Sequence, residues 1–330
     1  MDWNLSLVLR RRRHQDCTRA HLVYRRTRLG RQVTYLNEHL GPTPNTLDET
    51  ILLSAQNVHL LGNPTEAKEN VARLIHLRYR RGIYEGERPF ILWEPSPGAC
   101  RTHKLEEFLD VMPHVNVFSP SHDDFIDLTV GRGGIILPFE PRTIQFKARK
   151  FVEAGIGPNR DGLIIVRCGA YGCFWMKSER EKGWVRGYHP PDSPMIRDVT
   201  GAGSAFLGAF AVCYEFGKDI KKSCAHGIIA ASFAFEQFGL PERRPEVPEP
   251  KKRKRLWRII GGAGRRARKR TRNKPVKERS STEVPCREKW NGDNPYFRLG
   301  LLESNPDNFP ERNFPFPYWP SPPSSFHLMV

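Results

Sequence analysis

Between Asn57 and Cys173 short apolar runs alternate with stretches of helical periodicity, and that alternation limits the fold more than any other feature of the chain. Asn57-Val58-His59-Leu60-Leu61 reads as a buried strand, ended by Gly62-Asn63-Pro64. Thr65 is the expected cap of a helix through Tyr79 whose apolar face is Ala67, Val71, Leu74, Ile75 and Leu77. Phe90-Ile91-Leu92-Trp93 is the next predicted strand, stopped by Pro95 and Pro97. A short helix over Leu105 to Val111 and a strand over Val115 to Phe118 follow, then a loop from Gly131 to Pro141 and a helix from about Thr143 to Ala154. Leu163-Ile164-Ile165-Val166 is the clearest strand. Strands and helices that alternate in this way predict an α/β fold, a mostly parallel sheet with helices on both faces. Arg167-Cys168-Gly169-Ala170-Tyr171-Gly172-Cys173-Phe174-Trp175 then reads as a tight glycine turn into a further strand, and Ile220 to Phe238 as a helix capped by Gly239.

The second informative stretch is Asp198-Val199-Thr200-Gly201-Ala202-Gly203-Ser204-Ala205-Phe206, a small-residue loop that opens an apolar helix. Gly201 and Gly203 permit unusual dihedrals and close backbone approach. The unpaired amides of the helix start then face one point, which suits a phosphate or another anion. An ordinary glycine turn before a helix has the same geometry.

Charge looks at first like that of a nucleic-acid binder, at +17 over 330 residues. Lys251 to Arg279, however, holds fifteen Lys/Arg against the single acid Glu278, and only +3 belongs to the remainder. The basicity therefore sits in one segment rather than on a folded surface. Apolar content of 38% and a mean hydropathy of −0.56 are low for a wholly globular chain. Seven cysteines without metal-ligand spacing point to reduced thiols in a cytosolic or nuclear setting. No apolar run approaches the ~18–20 residues of a membrane-spanning helix, so no membrane role is expected. Leu5 to Val8 precede Arg10-Arg11-Arg12-Arg13, the reverse order of a secretory signal; an arginine-rich mitochondrial presequence stays open.

Asp-x-x-Gly-Ala-Gly-Asp before a small-residue helix is the signature of the PfkB, or ribokinase-like, carbohydrate kinases, and Asp198 to Ser204 resembles it. The resemblance implies a ribokinase-like fold, ATP and Mg²⁺ as cofactors, and phosphoryl transfer to a sugar-like hydroxyl. It implies that Gly201, Ala202 and Gly203 form an anion hole for the phosphoryl group, that Asp198 and Thr200 belong to the nucleotide loop, and that position 204 holds the base. Here that position is Ser204. A serine hydroxyl is a poor proton acceptor near pH 7, and a positioned base contributes ~10²–10⁴-fold to a rate. Catalysis is accordingly expected to be impaired.

The segment from Arg167 through Gly169 to Gly172 resembles the family's strand–Gly-x-x-Gly element, which implies nucleotide contact for all three. The helix with Ala230, Ala231, Phe233, Ala234 and Phe238 resembles the one flanking the adenine pocket, though each of these residues is as well explained as core. Ser121 and Asp124 fall where the family carries Asn-x-x-Glu, so Asp124 is the implied Mg²⁺ ligand. His122-Asp123-Asp124 otherwise reads as a solvated loop. Cys17 to Tyr24 with Gly30 to Tyr35 resembles the family's lid ribbon, its killer-maintenance-type branch in particular.

The domain expectation is a basic segment at 1–16, a partial PfkB-like domain at 17–240 that is strongest at 163–240, and a basic, Pro-rich, disordered tail at 241–330. The family carries roughly a hundred further residues upstream, with the first strands and a sugar-gripping Gly-Gly; this chain has Gly-Gly at Gly133-Gly134 and Gly261-Gly262 instead. A sheet without those strands would expose an edge and favour homo-oligomers. Lys251-Lys252-Arg253-Lys254-Arg255 and Arg265 to Arg272 read as inserted sequence, as a nuclear-localisation signal in an otherwise cytoplasmic protein, or as a nucleic-acid arm, the least favoured. Glu288-Lys289-Trp290-Asn291-Gly292 resembles the end of killer-maintenance-type proteins, so that about 243–286 interrupts a family sequence. Three functions remain: an impaired sugar kinase, a non-catalytic pseudokinase that binds nucleotide or a partner, and, least favoured, a nucleic-acid-binding protein acting through the basic segment.

Overall fold

A computed structural model describes residues 19–24, 31–36, 43–48, 50–83, 88–131, 138–239 and 327–329. The expectations for residues 1–16, Gly133-Gly134, Gly261-Gly262, the two basic clusters and Glu288 to Gly292 lie outside the described residues. The expected ribbon is present: β1 (Ala20–Tyr24) and β2 (Arg31–Tyr35) pair antiparallel, from Ala20↔Tyr35 to Tyr24↔Arg31.

The main sheet has seven strands. β3 (Asn57–Gly62), β4 (Phe90–Pro95), β5 (Val117–Phe118) and β6 (Leu163–Arg167) run parallel in sequence order. β7 (Cys173–Met176) and β8 (Lys182–Val185) turn back antiparallel beside β6. β9 (His327–Met329) lies parallel along the other edge, with Asn57 opposite His327 and His59 opposite Met329. The expectation of an open edge at β3 is therefore corrected over these residues. β8 went unpredicted because Lys182-Gly183-Trp184-Val185 shows neither an apolar run nor a clean alternation.

Side chains alternate across the sheet as a pleat requires. Ile91, Trp93, Phe118, Ile164 and Val166 face one core, beneath α1 (Pro64–Arg80), α2 (Leu105–Val111), α3 (His122–Thr129) and α4 (Pro141–Ala154). Leu92, Val117, Leu163 and Ile165 face a second, beneath α5 (Ala202–Gly217) and α6 (Ile220–Phe235). The expected two-faced sheet is thus in place. Fully buried aromatic rings knit the first core, with Phe118 5.0 Å from Trp93 and 5.2 Å from Phe151. On the second, Gly227 admits Phe206 of the neighbouring helix; a Cβ there would approach its ring to 2.7 Å.

Helix starts differ from expectation for local reasons. α1 begins at Pro64, capped by Asn63 rather than Thr65: Asn63 Oδ1 accepts from Glu66 N at 3.0 Å and Glu66 Oε2 from Asn63 N at 2.8 Å. Proline at the first helical position loses no bond there. α4 starts at Pro141 on the same logic, with Glu140 as its cap. α3 replaces the solvated loop expected at His122-Asp123-Asp124. Ser121 caps it, accepting from Asp124 N at 3.1 Å, and Phe125, Ile126 and Leu128 are buried beneath it. β4 continues through Pro95, and α6 stops at Phe235, leaving Phe238 76% exposed rather than in the core.

Candidate active site

The carboxyl ends of the parallel strands converge on the start of α5, the place where open α/β sheets bind ligands. Gly201 is its N-cap in the left-handed region (φ 77°), which favours glycine, and no side chain caps the helix. Asp198 shapes the loop: its Oδ1 accepts from Thr200 N at 2.9 Å, while Arg197 N and Asp198 N donate to Phe235 O at the end of α6. Ala202 N turns back to Val199 O at 3.3 Å. Gly203 N and Ser204 N stand in the first turn, where helix geometry offers them no intrahelical acceptor and the dipole is positive.

Against this bend lies an ion-pair cluster that the sequence reading missed. Arg167, the last residue of β6, donates from Nη2 to Glu94 Oε1 at 2.7 Å and to Ser119 O at 3.0 Å. Glu94, near the end of β4, meets His59 Nε2 through its other oxygen at 3.0 Å, and His59 is wholly buried on β3. Burial pushes the Glu94 carboxyl up, but the Arg167 charge and the His59 contact outweigh it and hold the group at about 2. A Cβ on Gly203 would collide with Arg167 Nη1 and come within 3.3 Å of Glu94 Oε1. Gly203 is therefore glycine so that a guanidinium can press on the helix start. Further along the same face Asn57 Nδ2 donates to Glu215 Oε2 of α5, tying β3 to that helix.

Asp124 sits across the cluster in the first turn of α3. Its Oδ2 accepts from Ser121 Oγ at 2.6 Å. Burial raises its carboxyl to about 6; Glu94 and Asp123 add to the rise, while the Ser121 bond and Arg167 oppose it. These residues fit a phosphate better than Mg²⁺, which takes one or two carboxylates with water and phosphate. Both Glu94 oxygens are occupied, one Asp124 oxygen is bonded, and Arg167 places a cation beside both acids. Among the described residues no three His, Cys, Asp or Glu converge as a metal site.

The structure places Arg167 against Gly203 in the first turn of α5, with Asp198, Thr200, Gly201, Ala202 and Ser204 in the same loop and helix start, and Asp124 near enough to feel the Arg167 charge. Ser204 is the third residue of α5, and among the described residues no carboxylate or imidazole bonds its hydroxyl. Gly169 lies in the turn after β6 at φ 55°, with no atom within 4 Å of a built Cβ. Gly172, at φ 91°, has a different explanation from nucleotide access: a side chain there would strike Val185 O, so it serves the closure of β7 on β8. Phe139 stacks on the half-exposed Tyr171 at 3.9 Å beside this turn. An acid at the end of an otherwise apolar strand was the available signal for Glu94. For His59 there was none, because it reads as one more strand residue.

A mixed, mostly parallel sheet with helices on both faces, and a glycine bend at the start of α5 beside the largely buried Arg167, defines an α/β protein. The chain belongs to the pfkB family of carbohydrate kinases, whose pattern it matches over residues 9–246. It is 29% identical to an uncharacterized protein of Schizosaccharomyces pombe over 226 residues, covering 62% of this chain and 59% of that one. It is 26% identical to Protein MAK32 of Saccharomyces cerevisiae over 211 residues, covering 61% and 55%. These two are consistent with the killer-maintenance-type branch. The chain spans less than three fifths of the length of either. Adenosine kinase of Schistosoma mansoni, in complex with 2-fluoroadenosine, aligns with a TM-score of 0.49 at 17% identity, covering 65% of this chain and 61% of that one. Among the described residues no helix is long and apolar enough to cross a membrane.

Proposed function

We propose that the chain holds the phosphate end of ATP at Gly201 to Ser204 and Arg167, and transfers the γ-phosphoryl group to a sugar-like hydroxyl slowly or not at all. The observation that carries this reading is Ser204 at the third position of α5, with no carboxylate or imidazole bonded to its hydroxyl among the described residues, next to the first-turn amides of that helix. Phosphoryl transfer draws on positioning and electrostatics, which the cradle supplies, and on a proton acceptor, which it lacks. Glu94 is no substitute. Held at about 2 and bonded through both oxygens, it has little appetite for a proton near neutral pH.

Calorimetric titration of ATP into the full chain tests the cradle, with binding expected and no heat expected from Gly203→Val. Turnover separates impaired catalysis from a pseudokinase. Ser204→Asp should raise sugar-dependent ADP formation by at least about tenfold if only the base is missing. Background rates in that variant favour a protein that binds nucleotide without turning it over.

A further inference from the structure

A cation is built into the site and tied to an acid of β4. Arg167 spends Nη2 on Glu94 and the Ser119 carbonyl, turns Nη1 to Gly203, and keeps Nε buried with no acceptor among the described residues. Its side chain is only 13% exposed. Glu94, whose Oε1 lies nearest Gly203 of the acids among the described residues, gives its other oxygen to the buried His59. A divalent ion that took an oxygen of Glu94 would have to displace Arg167 or His59 from it, and one at the second oxygen of Asp124 would face the Arg167 charge.

We propose that Arg167 stands in place of the divalent metal in this site, so that the phosphate end of a nucleoside triphosphate is held by its guanidinium and the Gly203 and Ser204 amides without a metal ion. The idea rests on the nucleotide reading above and alters its chemistry. The positive charge that faces the phosphate comes from the chain, in a planar fork suited to phosphate oxygens. Metal-free nucleotide is then the form recognised.

Two measurements on the full chain test it. In the first, Mn²⁺ is titrated in without nucleotide and the unbound ion is followed by electron paramagnetic resonance. The wild type should leave the signal unchanged, Arg167→Gln should gain one site by releasing Glu94, and Arg167→Gln with Glu94→Gln should lose it again. In the second, ATP is titrated by calorimetry in EDTA and in excess Mg²⁺, with dissociation constants expected to agree within about threefold. Stoichiometric Mn²⁺ binding by the wild type that Asp124→Asn abolishes would overturn the proposal. So would Mg²⁺ tightening ATP by more than about tenfold. Absence of ATP heat in both buffers brings down the nucleotide reading, while the Mn²⁺ titration of the wild type still decides whether the arginine holds the metal's place.

Discussion

Glu94 and Asp124 pull the stability of this fold in opposite directions with pH. Glu94 lies below its ordinary value, at about 2, so its contribution is complete above about 4.5 and is lost as pH falls through about 2. Asp124 lies above its ordinary value, at about 6, so its contribution is complete below about 3.8 and is lost as pH rises through about 6. Asp124→Asn should therefore stabilise the protein at pH 8, by at most about 3 kcal/mol, and far less at pH 4.5. Melting curves at the two pH values check this, and an equal shift at both contradicts it. Gly203→Ala puts a methyl group into the Arg167 guanidinium and is expected to cost about 1–3 kcal/mol in urea unfolding. Sequence reading nominated Gly203 for phosphate approach; the packing against Arg167 depends on a residue 36 positions earlier and could not be read locally.

Elements with strong periodic signals were legible before the structure. Leu163–Arg167 and the apolar stripe of α1 follow directly from pattern, because burial on a sheet or along a helix imposes the spacing. α3 was not, because three polar residues at its start look like loop until Ser121 is seen to cap them and Phe125 to anchor the next turn. The Asn63–Glu66 capping box shows what a correct reading of α1 needed, namely the asparagine before proline rather than the threonine after it. Asn63→Ala should cost about 1 kcal/mol, seen as a lower midpoint in urea with an unchanged slope. No loss would mean that Pro64 alone fixes the helix start. Glu94 escaped notice because a strand of Phe, Ile, Leu and Trp reads as core to its last residue, and the two prolines near it suggested only a stop.

At the scale of the molecule, β9 gives a role to residues that composition assigned to a tail. It covers β3 from Asn57 to His59, the strand that carries the His59 partner of Glu94. Deleting 324–330 should expose that edge, and exposed parallel edges recruit other strands. Hydrogen exchange should quicken at the Asn57 to His59 amides, and sedimentation should show self-association; unchanged exchange would mean that β9 contributes nothing to the sheet. The α/β class was readable because alternation is a property of the whole chain between Asn57 and Cys173. The β9 pairing was not, since three residues whose partners on β3 lie 270 positions earlier leave no local pattern.

The central claim is that the bend at Gly201 to Ser204, backed by Arg167, receives the phosphate end of a nucleotide. A crystal structure of the full chain with a non-hydrolysable ATP analogue tests it most directly. The account predicts terminal phosphate oxygens about 2.7–3.2 Å from the Gly203 and Ser204 amide nitrogens and from the Arg167 guanidinium. A terminal phosphate lodged elsewhere, with Arg167 still closed on Glu94, would contradict it.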